Sequence, residues 1–178
     1  MTLPRLWAGW RSPYMDETTA GDNTGEGAGD DGACVFCRIL ASDAPPEETY
    51  VVWRDGVCAV LLNAYPYTSG HLLVMPTRHV GDIEELEASE GAAVWTTATT
   101  AVRALKAAYR PEGLNLGVNL GRPAGAGIPG HFHVHVLPRW NGDTNFMSTV
   151  AETRVLPEAL PETYAKVRDA WPNPTPSR

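Results

Sequence analysis

An α+β fold with a five-stranded, mainly antiparallel sheet and helices packed on it is the architecture this sequence predicts. Five short runs alternate or concentrate apolar residues as strands do, and one long run has helical spacing. The strand runs are joined with few crossover helices, which favours antiparallel pairing. At 178 residues the chain suits one domain with tails.

Residues 1–33 read as an arm and a loop. The arm carries Arg5, Trp7, Trp10, Arg11 and Tyr14. Six carboxylates, Asp16, Glu17, Asp22, Glu26, Asp30 and Asp31, then crowd a Gly-rich stretch without one base. Such a stretch cannot bury enough apolar surface to order itself, so a flexible surface loop is expected. A short helix is expected from Cys34 to about Ser42. Thr49–Trp53 and Val57–Leu62 read as strands joined at Asp55-Gly56. A loop rich in Pro and Tyr, Asn63 to Ser69, leads to a third strand, His71–Met75. A short acidic helix is expected over Asp82–Ala88. A longer one follows from Ser89, a candidate N-cap, to Tyr109, ended by Pro111 and Gly113. Val94, Ala98, Ala101, Val102 and Leu105 form its apolar stripe. Leu114–Leu120 alternates apolar residues with Asn115, Gly117 and Asn119 and reads as the fourth strand. A Gly/Pro-rich loop, Gly121 to Gly130, enters the fifth. Residues 34–150 thus form the main domain, and 151–178 add a C-terminal helix and a frayed tail.

Net charge is −7, but without the six acids of the loop the chain is close to neutral. Nothing in this balance suits a nucleic-acid surface. No apolar stretch reaches the ~18 residues that span a bilayer. The first residues lack the apolar core of a secretory signal, so a cytoplasmic location is expected. Three cysteines are no disulfide framework. Cys58 lies in an apolar run and reads as a small buried hydrophobe.

The chemistry concentrates in histidines. His131, His133 and His135 alternate with Phe132, Val134 and Val136. On a strand the imidazoles share one face and the apolar residues the other. Each buried imidazole needs hydrogen-bond partners, so three in a row are hard to explain as core. His71 and His79 flank the third strand. This set suits nucleophilic attack on phosphorus, metal binding, or both. Cys34 and Cys37 supply two of the four ligands a zinc site needs. A histidine near Arg78-His79 and one from the fifth strand complete a closed site; the alternative is two unrelated thiols.

Gly70-His71-Leu72-Leu73-Val74-Met75-Pro76 and His131-Phe132-His133-Val134-His135-Val136-Leu137-Pro138-Arg139 resemble the paired signatures of the histidine-triad (HIT) nucleotide-binding family. Arg5-Leu6-Trp7 with Trp10-Arg11, Cys34-Val35-Phe36-Cys37, Leu62-Asn63 and Gly117-Val118-Asn119-Leu120-Gly121 extend the likeness. Residues Pro138 to Phe146 are most similar to the actinobacterial diadenosine tetraphosphate phosphorylases of that family. The resemblance implies a HIT-like fold over 34–150 and a homodimer whose sheets join. It implies nucleotidyl transfer through a covalent nucleotidyl-histidine, with a dinucleoside polyphosphate as favoured substrate and phosphate as acceptor. His133 is then the nucleophile, and His135 and His71 orient the phosphate. Asn63 holds ribose and base, Asn119 contacts the phosphates, and the loop with Gly125 and Gly127 cradles them. Cys34, Cys37, His79 and His131 hold a structural zinc.

One position departs from the family pattern. Many of its hydrolases carry Gln or Ser four residues before the first triad histidine, and here that residue is Gly127. The extra room favours phosphate over water as acceptor. A hydrolase of simple adenylates or phosphoramidates, a non-catalytic nucleotide-binding zinc module, and a zinc-centred enzyme are the alternative readings.

Overall fold

A computed structural model describes residues 34–143 and 158–172. The arm, the acidic loop, residues 144–157 and the tail beyond 172 lie outside these residues, as do the expectations made for them. Two short helices, α1 (Val35–Ala41) and α2 (Pro46–Thr49), precede the hairpin of β1 (Val51–Arg54) and β2 (Cys58–Leu62). Then come β3 (Leu72–Pro76), the long helix α3 (Ala88–Tyr109), β4 (Gly113–Val118), β5 (Val134–Arg139) and α4 (Leu160–Ala170). The strands form one five-stranded sheet in the order β1-β2-β3-β5-β4, antiparallel at every step.

Pleating divides the sheet's side chains into two cores. On one face Val60, Leu62, Leu72, Val74, Phe132, Val134 and Val136 pack against Val94, Ala98, Ala101 and Leu105 of α3 and Val167 of α4. Alanines on α3 let the helix lie close to the sheet. On the other face Ala59, Leu61, Leu73 and Met75 meet Phe36 of α1. Every residue of β2 and β3 is buried because both faces are covered. Each large apolar side chain removed from water here contributes roughly 1.5–3 kcal/mol. The C-terminal helix adds Val167 and Trp171 to the α3 side of the core.

Several element boundaries differ from the expected ones, each for a local reason. Thr49 closes a helical turn by donating its N–H to Pro45 O (3.2 Å), so β1 starts at Val51. The acidic stretch forms only a 3₁₀ turn, Ile83–Glu85. The Glu85 carboxylate accepts from the N–H groups of Gly81 and Asp82 (3.2 and 3.3 Å) and closes the turn on itself. Glu87, not Ser89, is the N-cap of α3, because Glu90 reaches back to the Glu87 N–H (2.9 Å). β4 ends at Val118.

The histidine strand also begins later than its pattern suggests, at Val134. β3 pairs with β5 as Leu72↔Val136, Leu73↔His135 and Val74↔Val134. Continuing that register sets Phe132 opposite Pro76, which has no N–H to give. The Phe132 N–H goes instead to Val80 O (2.6 Å). Side-chain alternation nevertheless persists through residues 131–133: Phe132 enters the α3 core, while His131 and His133 flank Phe36. Gly70, just before His71, lies close against α3 and β5. At φ 81°, a Cβ there would sit 3.0–3.1 Å from side-chain atoms of Tyr109, Leu105 and Pro138.

Candidate active site and metal centre

Cys34 and Cys37 stand one helical turn apart at the start of α1, so their sulfurs share a side. His79 follows β3 and His131 precedes β5. The fold brings one ligand atom from each of the four within 4.8 Å of all the others. Cys34 Sγ lies 3.5 Å from His131 Nδ1, Cys37 Sγ 3.6 Å from His131 Nδ1 and 3.3 Å from His79 Nδ1. A tetrahedron with bonds of ~2.3 Å to sulfur and ~2.0–2.1 Å to nitrogen needs sulfur–nitrogen edges of about 3.6 Å. The donor set therefore fits a metal ion as it stands. His131 Nε2–H donates to Pro76 O (2.9 Å), which turns Nδ1 toward the cluster as a lone pair. Burial first, and then Cys34 beside it, raise the Cys37 thiol above its ordinary range. A cation among these groups is what would favour thiolate.

Two residues on, His133 Nδ1–H donates to His131 O at 2.7 Å. This fixes the tautomer and leaves Nε2 with a free lone pair. Burial pushes the imidazole below its ordinary pKa, against the opposing pull of that carbonyl. The ring is thus held neutral, as a nucleophile must be.

A chain of hydrogen bonds sets the third histidine. The Tyr67 N–H donates to His71 Nδ1 (3.1 Å), and Asn63 Nδ2 approaches the same atom at 3.3 Å. His71 Nδ1 is therefore an acceptor, and the neutral ring carries its proton on Nε2. That proton points at His135 Nδ1, 2.8 Å away. His135 must then carry its own proton on Nε2. His135 Nε2 is buried and has no partner among the described residues. Burial, followed by the repulsion that a protonated His135 and a protonated His133 would exert on each other, brings the His135 pKa down to about 4. The result is a neutral ring with an unspent donor next to a neutral ring with an unspent lone pair, 4.9 Å between centroids.

Both open into a cavity of about 460 Å³. Phe36, Ile39, Leu61, Leu73 and Ile128 form its apolar walls, and Asn63, Gly125 and Gly127 line it too. A Cβ at Gly127 would meet nothing within 4 Å. Neither sterics nor backbone conformation demands glycine there.

Three residues expected at the phosphate are placed as follows. His71 is not among the residues lining this cavity; it is hydrogen-bonded to His135, which is. Gly125 offers no donor to a phosphate, because its N–H closes a turn onto Arg122 O (2.8 Å). Its left-handed conformation, φ 94°, turns its carbonyl toward Asn119 Nδ2 (3.4 Å). Asn119 thus supports the loop and is not part of the cavity lining.

Sequence reasoning missed Phe36 and Tyr67. Phe36 sets its edge against both His131 and His133, at 5.5 and 5.3 Å, and so links the Cys34, Cys37, His79 and His131 cluster to His133. Tyr67 stacks on His135 at 5.8 Å while its N–H orients His71. An aromatic inside Cys-x-x-Cys and a Tyr four residues before a histidine were the available signals. Neither announces a contact that only the folded register makes.

Comparison with known proteins gives a consistent picture. A family model for the HIT domain matches residues 45–142. The AP-4-A phosphorylase of Mycobacterium tuberculosis is 37% identical over 169 residues, 95% of this chain and 85% of that protein. Adenylylsulfatase HINT3 of Arabidopsis thaliana is 32% identical over 141 residues, 74% of this chain and 70% of the relative. Among solved structures, a Zn-bound histidine triad family protein from Mycobacterium smegmatis superposes with a TM-score of 0.64 and 30% identity, over 78% of this chain and 93% of that one.

Proposed function

The chain belongs to the HIT family, and from that premise we propose that it cleaves dinucleoside polyphosphates through a covalent nucleotidyl-His133, with inorganic phosphate as acceptor. It is an enzyme of nucleotide phosphorylase or hydrolase type acting on diadenosine polyphosphates. The choice of acceptor and the residue roles are our reading. The observation that carries it is the His133 ring, locked by the His131 carbonyl with Nε2 unprotonated at the cavity.

In the first step Nε2 attacks the α-phosphorus. The new N–P bond forms as the P–O bond to the polyphosphate breaks, and ATP departs from diadenosine tetraphosphate. The His135 Nε2–H donates to an oxygen of the transferred group as charge grows there. In the second step a phosphate oxygen attacks the same phosphorus, the N–P bond breaks, and ADP leaves with the His133 ring neutral again. The apolar walls hold the base, and Asn63 faces the ribose. The open volume at Gly127 accommodates a phosphate where a larger side chain would leave space only for water. The name of the mycobacterial relative supports the same acceptor.

A structural zinc held by Cys34, Cys37, His79 and His131 belongs to this reading. Bound there, it would cross-link α1 to the segments that follow β3 and precede β5, and so would hold Phe36 and the His131 carbonyl against His133. Homodimerisation through β4 is also proposed: that strand pairs only with β5 among the described residues and leaves Leu116 42% exposed.

Product analysis with diadenosine tetraphosphate, with and without inorganic phosphate, tests the proposal. ADP plus ATP in excess phosphate is expected. Gly127→Gln is expected to shift the products toward AMP plus ATP without loss of fold. AMP as the main product of the wild type, with no ADP, refutes the phosphate acceptor and favours a hydrolase, the activity type in the name of the Arabidopsis relative. Nucleotide binding without turnover leaves only a binding module.

A further inference from the structure

Tyr65 is 85% exposed, far more than any other large apolar side chain described, yet it lines the cavity that holds His133 and His135. A single exposed aromatic ring is ordinary on a protein surface; what sets this one apart is its place on the lining of the cavity that holds His133 and His135. Its backbone is nonetheless fixed. The Tyr65 N–H donates to Asn63 Oδ1 at 2.9 Å, and Asn63 is itself tied to His71 through its backbone N–H (3.0 Å to His71 O). The ring is thus presented on a rigid anchor at the cavity's edge. Its neighbour Tyr67 is already committed, stacked on His135 at an interplanar angle of 18°.

The cavity itself is small. At about 460 Å³ it lies toward the lower end of the ~300–1,000 Å³ range of ligand pockets. Its apolar walls, Phe36, Ile39, Leu61, Leu73 and Ile128, account for one nucleoside. A substrate with a second nucleoside must place that one outside, beyond the phosphates. Purine faces stack readily on exposed aromatic rings.

We propose that Tyr65 is the stacking platform for the base of the leaving nucleotide, and so the residue that makes the enzyme prefer dinucleoside over mononucleoside polyphosphates. The proposal rests on the nucleotidyl-transfer reading above. It adds a platform on the lining of the same cavity, beyond the apolar walls that hold the transferred nucleoside.

The test compares diadenosine tetraphosphate with adenosine 5′-tetraphosphate, which keeps the phosphates and loses only the second nucleoside. Tyr65→Ala is expected to raise KM for the dinucleotide roughly 5- to 100-fold and to leave that for the mononucleotide within about twofold. Tyr65→Phe, which keeps the ring, is expected to behave as wild type on both. An equal rise for both substrates, or no rise for either, overturns the proposal while leaving nucleotidyl transfer intact. Absence of turnover of either substrate by the wild-type protein overturns the parent reading, and this one with it.

Discussion

Replacing His71 with leucine is the most informative perturbation of this site, because His71 is not among the residues lining the cavity at His133 and reaches that site through its hydrogen bond to His135. At neutral pH His135, with a pKa near 4, is uncharged, so the position of its single N–H decides what it offers to phosphate. The 2.8 Å bond from His71 places that proton on Nε2, the nitrogen with no partner among the described residues. In His71→Leu, His135 Nδ1 loses its donor. Either it remains a buried acceptor without a partner, at a cost of about 1–3 kcal/mol, or the ring moves its proton to Nδ1 and presents a lone pair to the phosphate. Both outcomes deplete the productive donor. Losing one preorganised donor to a developing oxyanion costs ~10²–10³ in kcat, about 2.7–4 kcal/mol. We therefore expect kcat on diadenosine tetraphosphate to fall by that factor while KM changes little. His71→Gln retains an N–H that can reach toward His135 and is expected to recover at least about tenfold over leucine. Initial-rate kinetics, with melting curves and metal content as controls, decide the matter. A well-folded, metal-replete His71→Leu enzyme with kcat within about threefold of wild type refutes the relay. Equal damage in the glutamine variant reduces His71 to packing.

Three further outcomes follow from other parts of the structure. His133→Ala is expected to lose ~10³-fold or more in turnover and still bind nucleotide, since only the covalent step is removed; near-full activity would overturn the nucleophile assignment. Cys37→Ala, or chelation, is expected to release one zinc per chain and lower stability by a few kcal/mol at least, a modest share of the ~10–16 kcal/mol that structural zinc supplies to zinc-finger peptides. An intact fold with no zinc after metal-free handling at neutral pH counts against the site. Glu90, whose hydrogen bonds from Arg78 lower its pKa from 4.5 to about 2, contributes stability that is full above the ordinary carboxylate range and is lost as pH falls toward 2. The melting temperatures of Glu90→Gln and wild type should therefore converge on acidification across that window, and a constant gap would contradict the linkage.

Much of this molecule is written in local pattern. The alternation of histidines with Phe132, Val134 and Val136 determines which side chains share a face, whatever the strand pairs with, because successive side chains of extended backbone point opposite ways. The apolar runs at 57–62 and 71–76 mark central strands for the same reason, and Cys-x-x-Cys at a helix start brings two sulfurs together without help from the rest of the fold. Residue types and faces were therefore legible, including the four residues whose donor atoms the fold brings within reach of one metal ion.

Partners and proton positions were not. The hydrogen bond between His71 and His135 joins residues 64 positions apart, and it exists because Leu73 pairs with His135 in the sheet register. Only that register sets His71 against His135, and only the Tyr67 amide fixes which nitrogen of His71 holds the proton. The end of the β3–β5 ladder at Pro76, the placing of Phe36 between two histidines and the inward use of the Gly125 N–H are of the same kind. A histidine's chemistry depends on what each ring nitrogen meets. Side-chain periodicity sets the face a residue occupies, but tertiary packing selects its neighbours, and in this site the neighbours set the tautomers.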